Sequence, residues 1–236
     1  MPPSTSGGAL PIYVQVSEML IRDIAAGMLV DGSRLPPERD MAKSLEISVG
    51  TLRKALSELE SRGLLDRRHG SGNYIRSKPT PEGIYAFFRL ELVGGGGLPT
   101  ARVLDVTRMA KPADLPRFGT SIEAHRIRRL RFLGPQPAAV EEIWLDVSHA
   151  DRIAPEDLSH SLYLFYRETL DLWITGYEDQ VGVSPCPDWA PPEFGQPPGA
   201  PCGLVERQSR ARDGSVAEVS RNRFDSNVAR YVARMR

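Results

Sequence analysis

The chain has 236 residues, 41% of them hydrophobic, and its 30 basic side chains balance its 30 acidic ones. At roughly 150 residues per domain, that length predicts one to two domains with real cores, and the zero net charge does not by itself advertise a nucleic-acid partner. No window approaches the roughly 18 uninterrupted apolar residues of a membrane span, and the opening MPPSTSGG lacks the basic and apolar regions of a signal peptide, which argues against insertion and secretion and for a cytoplasmic protein.

Residues 1–9, rich in Pro, Ser and Gly, read as a disordered leader. A first helix is predicted from Tyr13 to Ala26, with Val16, Leu20 and Ile24 at steps of four and Gly27 at its end. A short second helix is predicted over Pro37–Leu45, where Pro36 and Pro37 suit a helix start and Glu38 and Asp40 suit the positive end of the dipole. Ser48 is placed to cap a third helix over Val49–Arg62, whose Leu52, Ala55, Leu56 and Leu59 form an inward stripe that Gly63 terminates. Arg53 and Lys54 fall off that stripe and face outward. Two extended runs around Gly70-Ser71-Gly72 complete a hairpin, so the segment describes a winged helix-turn-helix. Residues 47–78 hold 7 basic and 3 acidic side chains, a count that fits a phosphate-binding patch and equally a solvated surface.

Residues 77–83 read as a linker. Beyond it, Ala101–Val106, Ala124–Leu133, Ala139–Leu145, Leu204–Arg212 and Ala217–Phe224 are strand-like, with Gly134-Pro135 and Asp213-Gly214 marking two hairpins. Ser161–Leu172 is the clearest helix, and the seven prolines in 185–201 predict a loop. The class is α+β with an antiparallel sheet. Cys186 and Cys202 are expected as free thiols, since two cysteines make neither a metal set nor a disulfide framework. His125, His149 and His160 are scattered, so no metal and no cofactor is expected.

Four blocks now stand in order: Leu35-Pro36-Pro37-Glu38-Arg39-Asp40, Ile47 to Leu56, Glu58 to Leu65, and Arg68-His69-Gly70-Ser71-Gly72. They resemble the DNA-binding domain of GntR-family bacterial transcription regulators, over residues 10–76. Arg129-Leu130-Arg131, Gly134 to Pro137, Ala139-Val140-Glu141, Ser161-Leu162-Tyr163 and Pro198 to Pro201 are similar to the UTRA effector domain of the HutC subfamily, here residues 84–236. The resemblance implies a winged helix-turn-helix followed by a chorismate-lyase-like domain that senses an effector and dimerises. It also implies that the positions of Arg39, Ser48, Thr51 and Arg53 touch double-stranded operator DNA, and that His69 and Gly70 place the wing at the minor groove. The chain departs from the family where Val49 and Gly50 follow Ser48. The family often has a base-reading arginine at the first of these positions, and valine cannot make a bidentate guanine contact.

Arg129 and Arg131 are two apart and share one face of a strand, and the turn that follows brings Glu141 and Glu142 back opposite them. In related domains the positions of Arg129, Arg131 and Glu141 line the ligand pocket, and that of Ser161 caps it. Two inward guanidinium groups suit a phosphate or carboxylate, and a carboxylate suits hydroxyls or an amine, so a sugar phosphate, a sugar acid or another organic anion is the expected effector. A ladder of cross-strand ion pairs accommodates the same residues. The Trp189 loop either closes over this site or lies on the surface.

These readings predict a homodimeric, ligand-responsive regulator, a repressor released from a palindromic operator. An activator or dual regulator fits the same sequence. So does a small-molecule-binding or lyase-like enzyme with a vestigial DNA-binding domain, although no nucleophile with a base, phosphate loop or cofactor lysine assembles here, and no catalytic residue is assigned.

Overall fold

The computed structural model describes residues 11–25, 28–68, 70–76, 88–95, 97–158 and 161–233, which separate into two compact units. The expected leader and linker, as well as Gly27, His69 and His160, lie outside the described residues.

The first unit begins with α1 (Ile12–Ala25), α2 (Glu38–Ser44) and α3 (Val49–Ser61). Val16, Leu20 and Ile24 of α1 meet Leu52, Ala55, Leu56 and Leu59 of α3 in one core, each almost wholly buried. Ser48 caps α3 as its sequence position suggests, with its Oγ accepting the Thr51 N–H at 3.0 Å. At the other end Gly63 turns left-handed (φ 68°), and the Leu64 N–H returns to the Leu59 carbonyl at 2.8 Å, a closure that a residue with a Cβ resists. The wing is the antiparallel pair β1 (Leu65–Arg68) and β2 (Gly72–Ile75). A third edge joins it: Ser33 and Leu35 exchange backbone hydrogen bonds with Ile75 and Asn73, both at 2.9 Å, and this aligns Arg34 beside Tyr74.

The second unit is built on β4 (Pro99–Ala110), β5 (Glu123–Leu133), β6 (Gln136–Asp146), β7 (Ile174–Pro185), β8 (Pro201–Ala211) and β9 (Val216–Phe224), in one sheet ordered β4-β5-β6-β9-β8-β7. Gly134 (φ 60°) and Pro135 make the two-residue turn between β5 and β6, so the turn is shorter than Gly134 to Pro137, and the register slips after Arg131. Two short strands, β3 (Leu90–Leu92) and β10 (Ala229–Tyr231), lie outside the main sheet.

The helix predicted over 161–172 is shorter. Here α4 spans Leu162–Thr169, because Asp171 enters the left-handed region (φ 49°) and the Leu172 N–H folds back to the Tyr166 carbonyl at 2.9 Å. Leu162, Phe165 and Tyr166 of α4 pack on Ile127, Ile143 and Leu145, and so cover one face of the sheet. Against the other face, Cys186 and Phe194 of the proline-rich segment pack on Leu130, Val140 and Cys202. That segment contains one turn of 3-10 helix, Pro192–Phe194, and is otherwise irregular as expected.

Candidate DNA-binding face and effector site

On the first unit, the buried stripe of α3 leaves Arg53 and Lys54 exposed, as the spacing requires. Arg39 on α2 is exposed as well, and among the described residues neither Arg39 nor Lys54 forms an ion pair. Ser48 and Thr51 are joined at their hydroxyls (2.8 Å), which fixes the first turn of α3. Val49 leans partly into the core, while Gly50 leaves bare backbone at the surface.

Arg53 is not free. Its Nε donates to Glu38 Oε2 at 2.7 Å, and its backbone carbonyl accepts from Arg67 Nη2 at 3.1 Å. Glu38 was noticed in the sequence only as an acid at a helix start. Arg34, Glu38, Arg67, Arg68, Gly70 and Asn73 are among the residues lining an open cleft of about 460 Å³ between the start of α2 and the wing. The sequence signal for Arg67 is limited to the local basic count over 47–78, and Arg34 lies outside that count.

On the second unit, strand alternation puts Arg129 and Arg131 on the face under α4. Register sets Arg129 opposite Glu141, and the Glu141 carboxylate bridges both cations: Arg129 Nη2 to Oε2 at 2.7 Å, Arg131 Nη2 to Oε1 at 3.0 Å. All three residues are buried, at 3%, 5% and 5% exposure for Arg129, Arg131 and Glu141. Burial pushes the Glu141 carboxyl up, but the two guanidinium groups outweigh it and hold the acid ionised below its ordinary range. Glu218 also acts electrostatically on Arg129, so the arginines of this face have more than one carboxylate neighbour. Glu142 is not part of it. One residue along the strand, it points to the opposite face and pairs there with Arg128 at 2.7 Å.

Cross-strand ion pairs thus occupy both faces of this hairpin, Arg128–Glu142 on one and the buried Arg129–Glu141–Arg131 cluster on the other. Trp189 belongs to the ladder side, stacked against the Arg128 guanidinium at 4.6 Å, so its loop does not close over the Arg129–Arg131 face. Ser161 stands at the N-cap of α4, its Oγ accepting the Leu164 N–H at 3.4 Å.

The same face carries groups that the sequence reading missed. Glu218 is 2% exposed and accepts from the Tyr166 hydroxyl at 2.6 Å and the Ser209 hydroxyl at 2.9 Å. Burial raises its pKa above the ordinary value, with Tyr166, Ser209 and Arg129 opposing. The Tyr163 hydroxyl lies 2.9 Å from Ser209 Oγ, and burial pushes its pKa up to about 12, so it stays a neutral donor. Arg207 is locked to Asp179 by two contacts of 2.6 and 2.7 Å. One pole of this face is cationic, and the other is rich in carboxylate and hydroxyl groups. Such a surface can hold an anion at one end and hydroxyls at the other. Among the described residues no three His, Cys, Asp or Glu side chains gather as for a metal, and no helix is long and apolar enough to cross a membrane.

The comparisons agree with this division. Residues 12–75 match the model of the bacterial regulatory proteins of the gntR family, and residues 95–230 match the UTRA domain. The chain is 61% identical to the HTH-type transcriptional regulator SmoD of Agrobacterium fabrum, over 98% of this chain and 99% of that one. It is 27% identical to the HTH-type transcriptional repressor NagR of Bacillus subtilis, over 94% of each. The crystal structure of the possible transcriptional regulator YydK from Bacillus subtilis superposes with a TM-score of 0.55 at 20% identity, covering 95% of this chain and 99% of that one, a likeness of fold. A helix-turn-helix with its wing, a UTRA sheet with buried charges on one face, and a relative this similar along nearly its whole length place the chain in the gntR family as a transcription regulator with a DNA-binding and an effector domain.

Proposed function

We propose that this regulator is a cytoplasmic homodimeric repressor, without enzymatic activity, that leaves a palindromic operator when a small organic anion occupies the effector domain. The observation that carries this reading is the buried Arg129–Glu141–Arg131 cluster, which sets two guanidinium groups beside one shared carboxylate on the face under α4. Guanidinium groups on one strand face suit a phosphate or carboxylate, so an anionic group of the ligand is their natural complement. Glu218, Ser209 and Tyr163 then suit hydroxyls of the same ligand, as in a sugar phosphate or a sugar acid, and Ser161 closes the site from α4. The repressor name of the Bacillus subtilis relative supports the sign of regulation.

On this reading residues 10–76 form the DNA-binding domain, with Arg39, Ser48, Val49, Gly50, Thr51, Arg53, Lys54, His69 and Gly70 at the DNA. Residues 84–236 bind the effector and dimerise. We assign the dimer contact to β7, a free sheet edge on which Val181 and Val183 are 58% and 76% exposed. The opposite edge, β4, carries Arg102, Asp105 and Arg108 spread along its length, which discourage strand addition, whereas the acids of β7, Glu178 and Asp179, lie apart from the Val181–Val183 stretch. Two β7 strands related by a two-fold axis pair antiparallel, the symmetry that a palindromic operator asks for.

The test is a thermal-shift screen of anionic and neutral metabolites on the wild type and Arg131→Ala, followed by operator release with each hit. The reading expects an anionic hit that stabilises only the wild type and displaces it from DNA. An uncharged effector, or one that stabilises both proteins equally, would show that these arginines are structural.

A further inference from the structure

We infer that Glu38 is a specificity residue of the DNA-binding domain: it holds Arg53 by its Nε edge, so that the two terminal nitrogens are presented as a fork for one guanine. The inference rests on the DNA-binding reading above and deepens it.

Four observations lead there. Arg53 is 65% exposed at its side chain, yet its Nε is committed to Glu38 Oε2 at 2.7 Å, and Glu38 is itself only 26% exposed. Nη1 and Nη2 of Arg53 are therefore the groups left for a partner, and an arginine reads guanine O6 and N7 with two such donors. Glu38 is in turn steadied from the wing, where Asn73 Nδ2 lies 3.4 Å from its other oxygen, and Arg67 of β1 grips the Arg53 carbonyl. Helix α2 and the wing thus both hold Arg53, Glu38 at its guanidinium and Arg67 at its backbone carbonyl. Finally, the position after Ser48 is Val49, which cannot make a bidentate guanine contact, so guanine reading by α3 falls to a residue one turn further on.

An acid inside a DNA-binding surface is otherwise unwelcome, because it repels phosphates. A role at the start of α2 explains its charge through the helix dipole but not its bond to an exposed arginine fifteen residues away. Repulsion has a use if it is matched by selectivity. A free Arg53 would swing onto the phosphate backbone and bind every sequence. Held by Glu38, its charge is spent on one base pair.

The experiment begins with the full-length wild type, used to select its preferred duplex from a random DNA library. Binding of wild type, Glu38→Ala, Glu38→Gln, Arg53→Ala and the double variant Glu38→Ala/Arg53→Ala is then measured. The targets are that duplex, its single-pair variants and a scrambled duplex, each across a salt series. Glu38→Ala is expected to lose about tenfold discrimination at one G·C pair, within the range of a single bidentate contact. Its affinity for scrambled DNA should rise, with a salt slope steeper by about one. Glu38→Gln keeps an acceptor for Nε, so it should retain most of the discrimination while gaining affinity for scrambled DNA. In the Arg53→Ala background, Glu38→Ala should leave discrimination unchanged. If Glu38→Ala lowers affinity for all duplexes in equal proportion, or leaves every single-pair preference intact, Glu38 is structural and the inference fails. A wild type that selects no sequence at all would overturn the DNA-binding reading along with it.

Discussion

The two domains use the same chemical pair, an arginine on a carboxylate, in opposite surroundings. In the DNA-binding domain the Arg53–Glu38 side chains are 65% and 26% exposed; in the effector domain the Arg129–Glu141 side chains are 4% and 7% exposed. Water screens the first pair, so it contributes about 0 to 1 kcal/mol to folding and remains available for a partner. The second has lost its water, so its members depend on their charged neighbours, and removing one leaves the buried cluster unbalanced. The same contrast separates what the pairs can do. An exposed pair can be lent to a ligand without endangering the fold, whereas a buried cluster cannot give up a member without cost.

The sharpest way to break that contrast is Glu141→Ala. It should destabilise the effector domain by about 3 to 5 kcal/mol, visible as a lower midpoint in urea, because two guanidinium groups then share a dry face. A loss below about 1 kcal/mol would mean that water reaches them. Second comes Asp146, which is 0% exposed and accepts from Lys111 and from the backbone N–H groups of Ser121 and Ser148. Burial works against this carboxylate, but those donors win and depress its pKa to about 2. An acid held below its unfolded pKa of about 4 stabilises the fold above that value and loses its contribution as pH falls through the folded pKa. About 2 kcal/mol should therefore disappear between about pH 4 and pH 2. Asp146→Asn should flatten that part of the acid-unfolding curve.

Third, Arg53→Ala should weaken binding to the preferred duplex by about 1 to 3 kcal/mol, read by titration at fixed salt, and leave the unfolding midpoint almost unchanged. Unchanged operator affinity at moderate salt would remove Arg53 from the interface. The smallest effect belongs to Glu58→Ala. The Arg62–Glu58 side chains are 34% and 37% exposed, and Arg62 keeps Glu18 at 2.9 Å, so stability should move by no more than about 0.5 kcal/mol.

Much of this was legible in the chain before any coordinates, and the parts that were not share a physical cause. The helical stripe of α3, its Ser48 cap and its Gly63 stop are local signals, set by residues within one or two turns, and all three hold. Arg129 facing Glu141 follows from period-two alternation and a tight turn, again local information. Glu142 was misplaced because counting back across a hairpin without the register leaves a one-residue ambiguity, and one residue flips the face. Strand β7 escaped notice because an edge strand buries little, so ITGYEDQVGVSP has no apolar alternation to read. Glu218 joins the buried face through Tyr166, 52 residues away, and through a strand order that no spacing encodes. Its one visible trace was an acid inside an otherwise well-buried strand. Glu38 was seen, but its partner Arg53 lies fifteen residues on, and only the packing of α2 against α3 joins them.

The proline-rich segment over the sheet holds a property of another kind. Cys186 and Cys202 are 2% and 1% exposed, and burial raises both thiols, Cys202 to about 11. Thiolate is the reactive form, so in the closed protein both sulfurs are chemically silent. They become reactive only while residues 186–200 lift from Leu130 and Val140. The rate at which a dilute alkylating reagent consumes them is then a native clock for that opening, free of any introduced label. It ticks on the face opposite the Arg129–Glu141 cluster, and would record how far tightening of one side of the sheet is felt on the other.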